Sequence, residues 1–213
     1  MAKKTILFDL DGTLTDSAEG ILNSVVQVLS HYHIPIPTQE GLRVFIGPPL
    51  HDKFVEFGVP AEEADAAVEL FRSRYNTIGK FENKPYPGIP EMLDSLQKSG
   101  FRLLVATSKP EKTAKEVLEH FDLAKYFHQI CGASMDRSRD TKDKVIAYLL
   151  AQEAAGTDMI MVGDTDYDVT GAAAHGIPCI GVSWGYGSVA EMEAAGAVDI
   201  AHSVSELMIL MEK

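Results

Sequence analysis

A chain of 213 residues, 46% hydrophobic and 23% charged, carries enough apolar material for one sizeable core, or for a core with a small accessory lobe. Its formal net charge of −12 argues against nucleic-acid polymers and anionic membranes as partners, while a small phosphate ester stays compatible wherever a metal and a few cations dominate locally. The two cysteines, Cys131 and Cys179, sit far apart in apolar contexts and read as buried thiols; the apolar run before Asp9 reads as too short for a signal peptide, no membrane span is expected further along, and a cytoplasmic setting is the expectation.

The first predicted element is a buried strand, Ile6-Leu7-Phe8, running into Asp9. Asp16 and Glu19 have the spacing of a helix cap, and Ile21, Val25, Val28, Leu29 and Tyr32 share one helical face beyond it. Pro35 and Pro37 stop that helix. Further helices are predicted over 38–45, stopped by Gly47-Pro48-Pro49; over 50–57, stopped by Gly58; and from Pro60 onward, with Ala64, Ala67, Val68, Phe71 and Tyr75 as the apolar stripe. Residues 17–83 therefore read as an all-helical insertion, and Lys84-Pro85-Tyr86-Pro87-Gly88 as a stiff return joint. Helices and strands then alternate: helix 89–98, strand 101–106, helix 111–121, strand 128–131, helix 141–154, strand 159–162, helix 169–175, strand 179–182, helix 189–195, an edge strand at 198–201 and helix 204–211. Such alternation predicts an α/β fold, a doubly wound, Rossmann-like parallel sheet built from 1–16 and 84–213, with the helical segment 17–83 inserted.

The chemistry begins where the first strand ends, since ligands of open parallel sheets bind at the strands' carboxyl ends. Asp9-Leu10-Asp11-Gly12 places two carboxylates at i and i+2, pointing the same way in an extended chain. They repel and are costly to desolvate unless a hard cation such as Mg²⁺ sits between them and a substrate. A carboxylate such as Asp9 can attack phosphorus covalently. Asp11 can then protonate the leaving alcohol and later deprotonate the attacking water. Alone, the motif is equally an acidic turn, and nucleotide-sugar transferases also hold a metal on Asp-x-Asp. Phe8-Asp9-Leu10-Asp11-Gly12-Thr13-Leu14 resembles, without a departure, the first signature of the haloacid dehalogenase-like hydrolases, whose members are mostly Mg²⁺-dependent phosphatases.

Three downstream features extend the resemblance. Thr107 follows Leu103-Leu104-Val105-Ala106 at a strand's end; its hydroxyl and the backbone N–H groups of Ser108 and Lys109 can hold phosphate oxygens, or the stretch can simply cap the helix at Pro110-Glu111. A lysine opening the helix before strand 159–162 can neutralise Asp9 and the phosphate. Lys142 is preferred to Lys144 for its first-turn position, and for each the plain alternative is a solvated helix lysine. Gly163-Asp164-x-x-x-Asp168 crowds aspartates at another strand end. Asp164 would hold the metal, Asp168 would orient a metal water or Lys142, and Asp166 would face solvent. These match the family's second, third and fourth signatures in order, except that many relatives have Lys-Pro where this chain has Thr141-Lys142-Asp143-Lys144.

The resemblance implies Asp9, Asp11, Thr107 and Lys142 as catalytic residues, and Mg²⁺ held by Asp9, Asp164 and the Asp11 carbonyl. It also implies that the insertion is a helical cap closing over the site, with Phe45-Ile46-Gly47-Pro48-Pro49-Leu50 as its substrate-facing loop. Gly47, Arg43 and Lys80 are candidate substrate contacts, although ordinary surface charge is the plainer explanation of each of the two cations. The expected activity is a Mg²⁺-dependent phosphomonoesterase with an aspartyl-phosphate intermediate. That last loop, the joint from Glu82 to Gly88 and Ala106-Thr107-Ser108-Lys109-Pro110 look most like the 5′-nucleotidase-like group, with phosphoglycolate phosphatase and then phosphosugar mutase as alternatives. Dehalogenation is disfavoured because it would leave Asp11 idle. A receiver-type signalling domain is the alternative from another class, against which the insertion and Asp11 both argue. The expected partner is a small phosphate ester, and the expected assembly a monomer or homodimer.

Overall fold

The computed structural model describes residues 4–47, 49–136, 138–152 and 158–211. It divides into two compact units, Met1–Asp16 with Pro85–Lys213, and Ser17–Lys84. The sequence placed the return to the larger unit at Lys84; the division falls just after it.

The chain opens with β1 (Thr5–Phe8) and a short β2 (Thr15–Asp16), then enters the helical unit. This holds α1 (Ala18–His31), α2 (Gln39–Leu42), α3 (Leu50–Glu56) and α4 (Ala64–Tyr75). Leu22, Val25, Val28 and Leu29 of α1 pack with Phe45, Phe54, Val68, Phe71 and Tyr75 in a core of their own. Phe45 is the hub, its ring centroid 5.4 Å from that of Phe54 and 4.6 Å from that of Phe57. Three details differ from the sequence reading. The expected helix over 38–45 ends at Leu42 and tightens into a 3₁₀ turn, Arg43–Phe45, which turns Phe45 inward. The helix expected from Pro60 begins at Ala64, after a 3₁₀ turn over Ala61–Glu63. The N-cap position of α1 is Ser17, one residue after the expected Asp16, whose carboxylate accepts from the Tyr186 hydroxyl at 3.1 Å.

After β3 (Lys84–Pro85), which straddles the division, the larger unit runs α5 (Ile89–Lys98), β4 (Arg102–Pro110), α6 (Glu111–His120), β5 (Gln129–Ala133), α7 (Lys142–Leu150), β6 (Met159–Gly163), α8 (Asp166–Ala173), β7 (Cys179–Val182), α9 (Val189–Ala195), β8 (Asp199–Ala201) and α10 (Val204–Met211). Pro48 of the expected substrate loop, and the last residues of the helix expected to reach Ala154, lie outside the described residues. Among the described residues no helix is long and apolar enough to cross a membrane.

Six of these strands form one parallel sheet, ordered β5-β4-β1-β6-β7-β8. Side chains along β1 alternate between two cores: Ile6 and Phe8 join Leu93, Leu103, Val117 and Leu207 on one face, and Leu7 joins Leu104, Val145, Leu149 and Met161 on the other. A strand covered on both sides has no polar positions to alternate, which is why it reads as an unbroken apolar run. After β5 the chain crosses to the far side of β1 to build β6, so the topological switch lies beside β1. Register then sets the site: Phe8 is paired with Val105 of β4 and with Val162 of β6. The residues just beyond, Asp9, Ala106-Thr107 and Gly163-Asp164, emerge level with one another.

Candidate active site

Asp9 leaves β1 with its N–H still bonded to the Val162 carbonyl at 2.9 Å, so its backbone is held by the neighbouring strand. Lys142 comes from the first turn of α7, and its side chain is only 4% exposed. Its Nζ lies 2.8 Å from Asp9 Oδ1 and 2.7 Å from Asp168 Oδ1, and donates to the Ala106 carbonyl at 2.9 Å. Lys144, two residues on, points outward and pairs with Asp140 at 2.8 Å. Helical geometry separates the two lysines by about 200° around the axis, so only one can face the sheet.

Asp168 is placed by local chemistry. Thr165 caps α8, and Asp168, three residues on, closes a capping box: its Oδ2 accepts from Thr165 N–H at 3.1 Å and from the Thr165 hydroxyl at 2.9 Å. The other oxygen is thereby turned toward Lys142. Asp164, fully buried, accepts from the Thr13 hydroxyl at 2.9 Å and from the Tyr186 N–H at 2.8 Å.

Asp9, Asp164 and Asp168 each offer one carboxylate oxygen, all within 4.8 Å of one another. Burial pushes the Asp9 carboxyl up to about 6, against the pull of Lys142. It pushes Asp164 up to about 8, with the Asp168 and Asp9 carboxylates adding to the effect. For Lys142, burial works against the charge, but Asp168 and Asp9 outweigh it and hold the ammonium above the ordinary lysine range. Lys142 Nζ is the close partner of both Asp9 Oδ1 and Asp168 Oδ1, and among the described residues these two buried oxygens gain no further hydrogen bond. Crowded buried carboxylates with under-satisfied oxygens are a donor set suited to a hard divalent cation. The Asp11 carboxylate stands apart from this cluster. Both of its oxygens face Lys109 Nζ, at 2.7 and 2.9 Å.

Beyond Ala106 the β4–β5 register shifts before pairing resumes at Pro110. Thr107 and Lys109 are buried there and Ser108 is exposed. The Lys109 N–H, expected with that of Ser108 to hold phosphate oxygens, donates to Thr107 Oγ1 at 3.2 Å. Arg43 and Gly47 belong to the helical unit and are exposed.

The sequence reading missed the turn after β7. Trp184 Nε1 donates to the Thr13 carbonyl at 3.1 Å, and Tyr186 supplies the N–H on Asp164. The available signal was an aromatic pair interleaved with glycines, Trp184-Gly185-Tyr186-Gly187, just beyond a strand's carboxyl end.

Gly12 makes the tight packing possible. It has φ +86°, and a Cβ there would lie 2.1 Å from Asp164 Oδ2. Gly12→Ala is expected to cost about 1–3 kcal/mol from the backbone alone, before any displacement of Asp164. A thermal melt within 1 °C or so of the parent, where about 2–4 °C per kcal/mol is expected, would contradict this.

A family model described as haloacid dehalogenase-like hydrolase matches residues 6–182. The chain is 40% identical over 201 residues to tyrosine-protein kinase PtkA of Mycobacterium tuberculosis, covering 94% of this chain and 69% of that protein. It is 42% identical over 191 residues to a 5′-nucleotidase of Pseudomonas aeruginosa, covering 89% of this chain and 86% of that protein. The crystal structure of a predicted phosphatase from Clostridium acetobutylicum matches it with a TM-score of 0.91 at 44% identity, covering 100% of this chain and 99% of that one.

Proposed function

The chain belongs to the haloacid dehalogenase-like hydrolases and is a phosphoric monoester hydrolase, and we propose that it is a Mg²⁺-dependent phosphatase that passes through a phosphorylated Asp9. The observation that carries this reading is the buried Asp9–Lys142–Asp168 arrangement beside Asp164 at the carboxyl ends of β1 and β6. Asp9 is the nucleophile, fixed by its backbone bond to β6 and by Lys142. Lys142 screens the repulsion between that carboxylate and an incoming phosphate, and is itself aimed by Asp168 and the Ala106 carbonyl. The Thr107 hydroxyl accepts from Lys109 N–H, which leaves its own proton to donate to a phosphate oxygen. Asp11 gives a proton to the leaving alcohol and takes one from the water that hydrolyses the intermediate. Asp9, Asp164 and the Asp11 carbonyl would hold Mg²⁺, which supplies charge neutralisation between carboxylate and phosphate.

For the substrate we favour a small phosphorylated metabolite of the nucleoside 5′-monophosphate class. The loop, joint and Thr107 segment support this, as does the likeness to the Pseudomonas 5′-nucleotidase. A cytoplasmic setting is supported by two buried free thiols, Cys131 and Cys179. The test is a screen of 5′-nucleotides, phosphoglycolate, phosphosugars and a phosphotyrosine peptide, the last because a relative is named a tyrosine kinase. Each is assayed with Mg²⁺ and with excess chelator. We expect multiple turnovers only with Mg²⁺, highest on 5′-nucleotides, and restoration when Mg²⁺ is returned after chelation. Preference for phosphoglycolate would overturn the substrate assignment. Full activity in chelator would overturn the metal, and a protein that stops after one phosphoryl group would overturn the phosphatase reading.

A further inference from the structure

Lys109 is a buried cation that the mechanism above leaves without a role for its side chain. Its side chain is 4% exposed and holds both oxygens of Asp11, whose own side chain is 21% exposed. From this geometry we propose that Lys109 is a positioning residue for Asp11, fixing the direction of the carboxylate that shuttles the proton; the proposal rests on the shuttle role given to Asp11 above.

The placement is built into the backbone on both sides. The register shift after Ala106 sends Thr107 and Lys109 inward and Ser108 outward. Thr107 Oγ1 anchors the Lys109 N–H from the front. Behind it, the Lys109 carbonyl packs against Gly132 of β5, where a Cβ would lie only 2.5 Å from that oxygen. A lysine stem is flexible and loses rotamer freedom when held. Here the backbone is fixed first, and a two-oxygen contact then fixes the tip. A carboxylate on a free rotor would spend little time facing one ester oxygen, and proton transfer requires hydrogen-bond reach. Removing Lys109 leaves Asp11 with access to water, so the damage should fall on direction more than on folding.

The test uses leaving groups. The kcat/KM for a phosphate ester reports the steps through departure of its alcohol, and an aryl leaving group departs without a proton whereas an alkyl one needs it. For Lys109→Met we expect kcat/KM on an alkyl phosphate to fall by about 10–100-fold, within the range general acid catalysis supplies, with a change under about threefold on p-nitrophenyl phosphate. In an Asp11→Asn background, Lys109→Met should add almost nothing, because residues acting as a unit are non-additive. Equal losses on both esters would overturn the proposal, since Lys109 would then serve phosphate binding or the fold. Additive losses in the double variant would overturn it as well. If Asp11→Asn itself fails to separate the two esters, the shuttle role falls, and that failure is read independently of Lys109. Should Lys109→Met melt below the assay temperature, Lys109→Gln, which keeps the stem and one donor, is read by the same criteria.

Discussion

Asp9→Asn is expected to lower phosphatase turnover by at least about a thousandfold while the protein stays folded, by the scale seen when activated nucleophiles are removed. The amide matches the carboxylate in shape and keeps the backbone bond to Val162, so the end of β1 has no reason to move. What is lost is the attacking anion and one charge of the buried acidic cluster. Stability should hold or rise slightly without metal, because fewer like charges then crowd the cavity. Rapid-quench labelling with ³²P-substrate and a thermal melt separate the two effects. Near-normal turnover in Asp9→Asn would sink the assignment of the nucleophile.

Lys142→Met should strongly destabilise the protein. The ammonium sits between Asp9 and Asp168, and the side chain packs along α8 beside Gly171. Methionine fills most of that volume but leaves both carboxylates without their cation. Breaking a buried pair from one side costs about 3–5 kcal/mol. At about 2–4 °C per kcal/mol for a chain of this size, the melting temperature should fall by roughly 10 °C. Activity should fall with it, and Mg²⁺ should narrow the gap by returning positive charge to the carboxylates. A melt within 2 °C or so of the parent would show that the cluster does not depend on Lys142 for neutrality.

Much of this was legible in the chain because it is written locally. The strand-to-loop change at Phe8-Asp9 and at Val162-Gly163-Asp164 is a change from apolar run to carboxylate and glycine, visible within a few residues. The choice of Lys142 over Lys144 rested on helix position, and burial now separates them physically. Other features depend on which distant segments meet. Nothing near Lys109 announces that its ammonium meets Asp11, and nothing near Tyr186 announces that it serves Asp164 and Asp16. Those contacts follow from sheet order, which periodicity does not encode. The cap expected at Asp16 falls one residue later, at Ser17, and Asp16 has a distant partner too. An acidic residue three before a glutamate fits the local pattern, but the side chain is drawn to a tyrosine 170 residues away.

The strand order also bears on how the chain is made. Thr5 of β1 waits for Arg102 on one side and Met159 on the other, with the helical unit synthesised in between. At about 5–20 residues per second, a nascent β1 is without a sheet neighbour for roughly 5–20 s, longer than helices need to form. The helical unit, with its own core, can fold during that delay, whereas β1 exposes an apolar edge that invites mispairing. The Thr13–Asp164 bond closes only after β6 has left the ribosome, so a prematurely terminated product ending before that point carries the Asp9-x-Asp11 motif but lacks Asp164 and Asp168. Truncated chains should therefore be aggregation-prone and chemically inert, and the cell's quality-control machinery would meet them as exposed β-strand rather than as rogue enzyme.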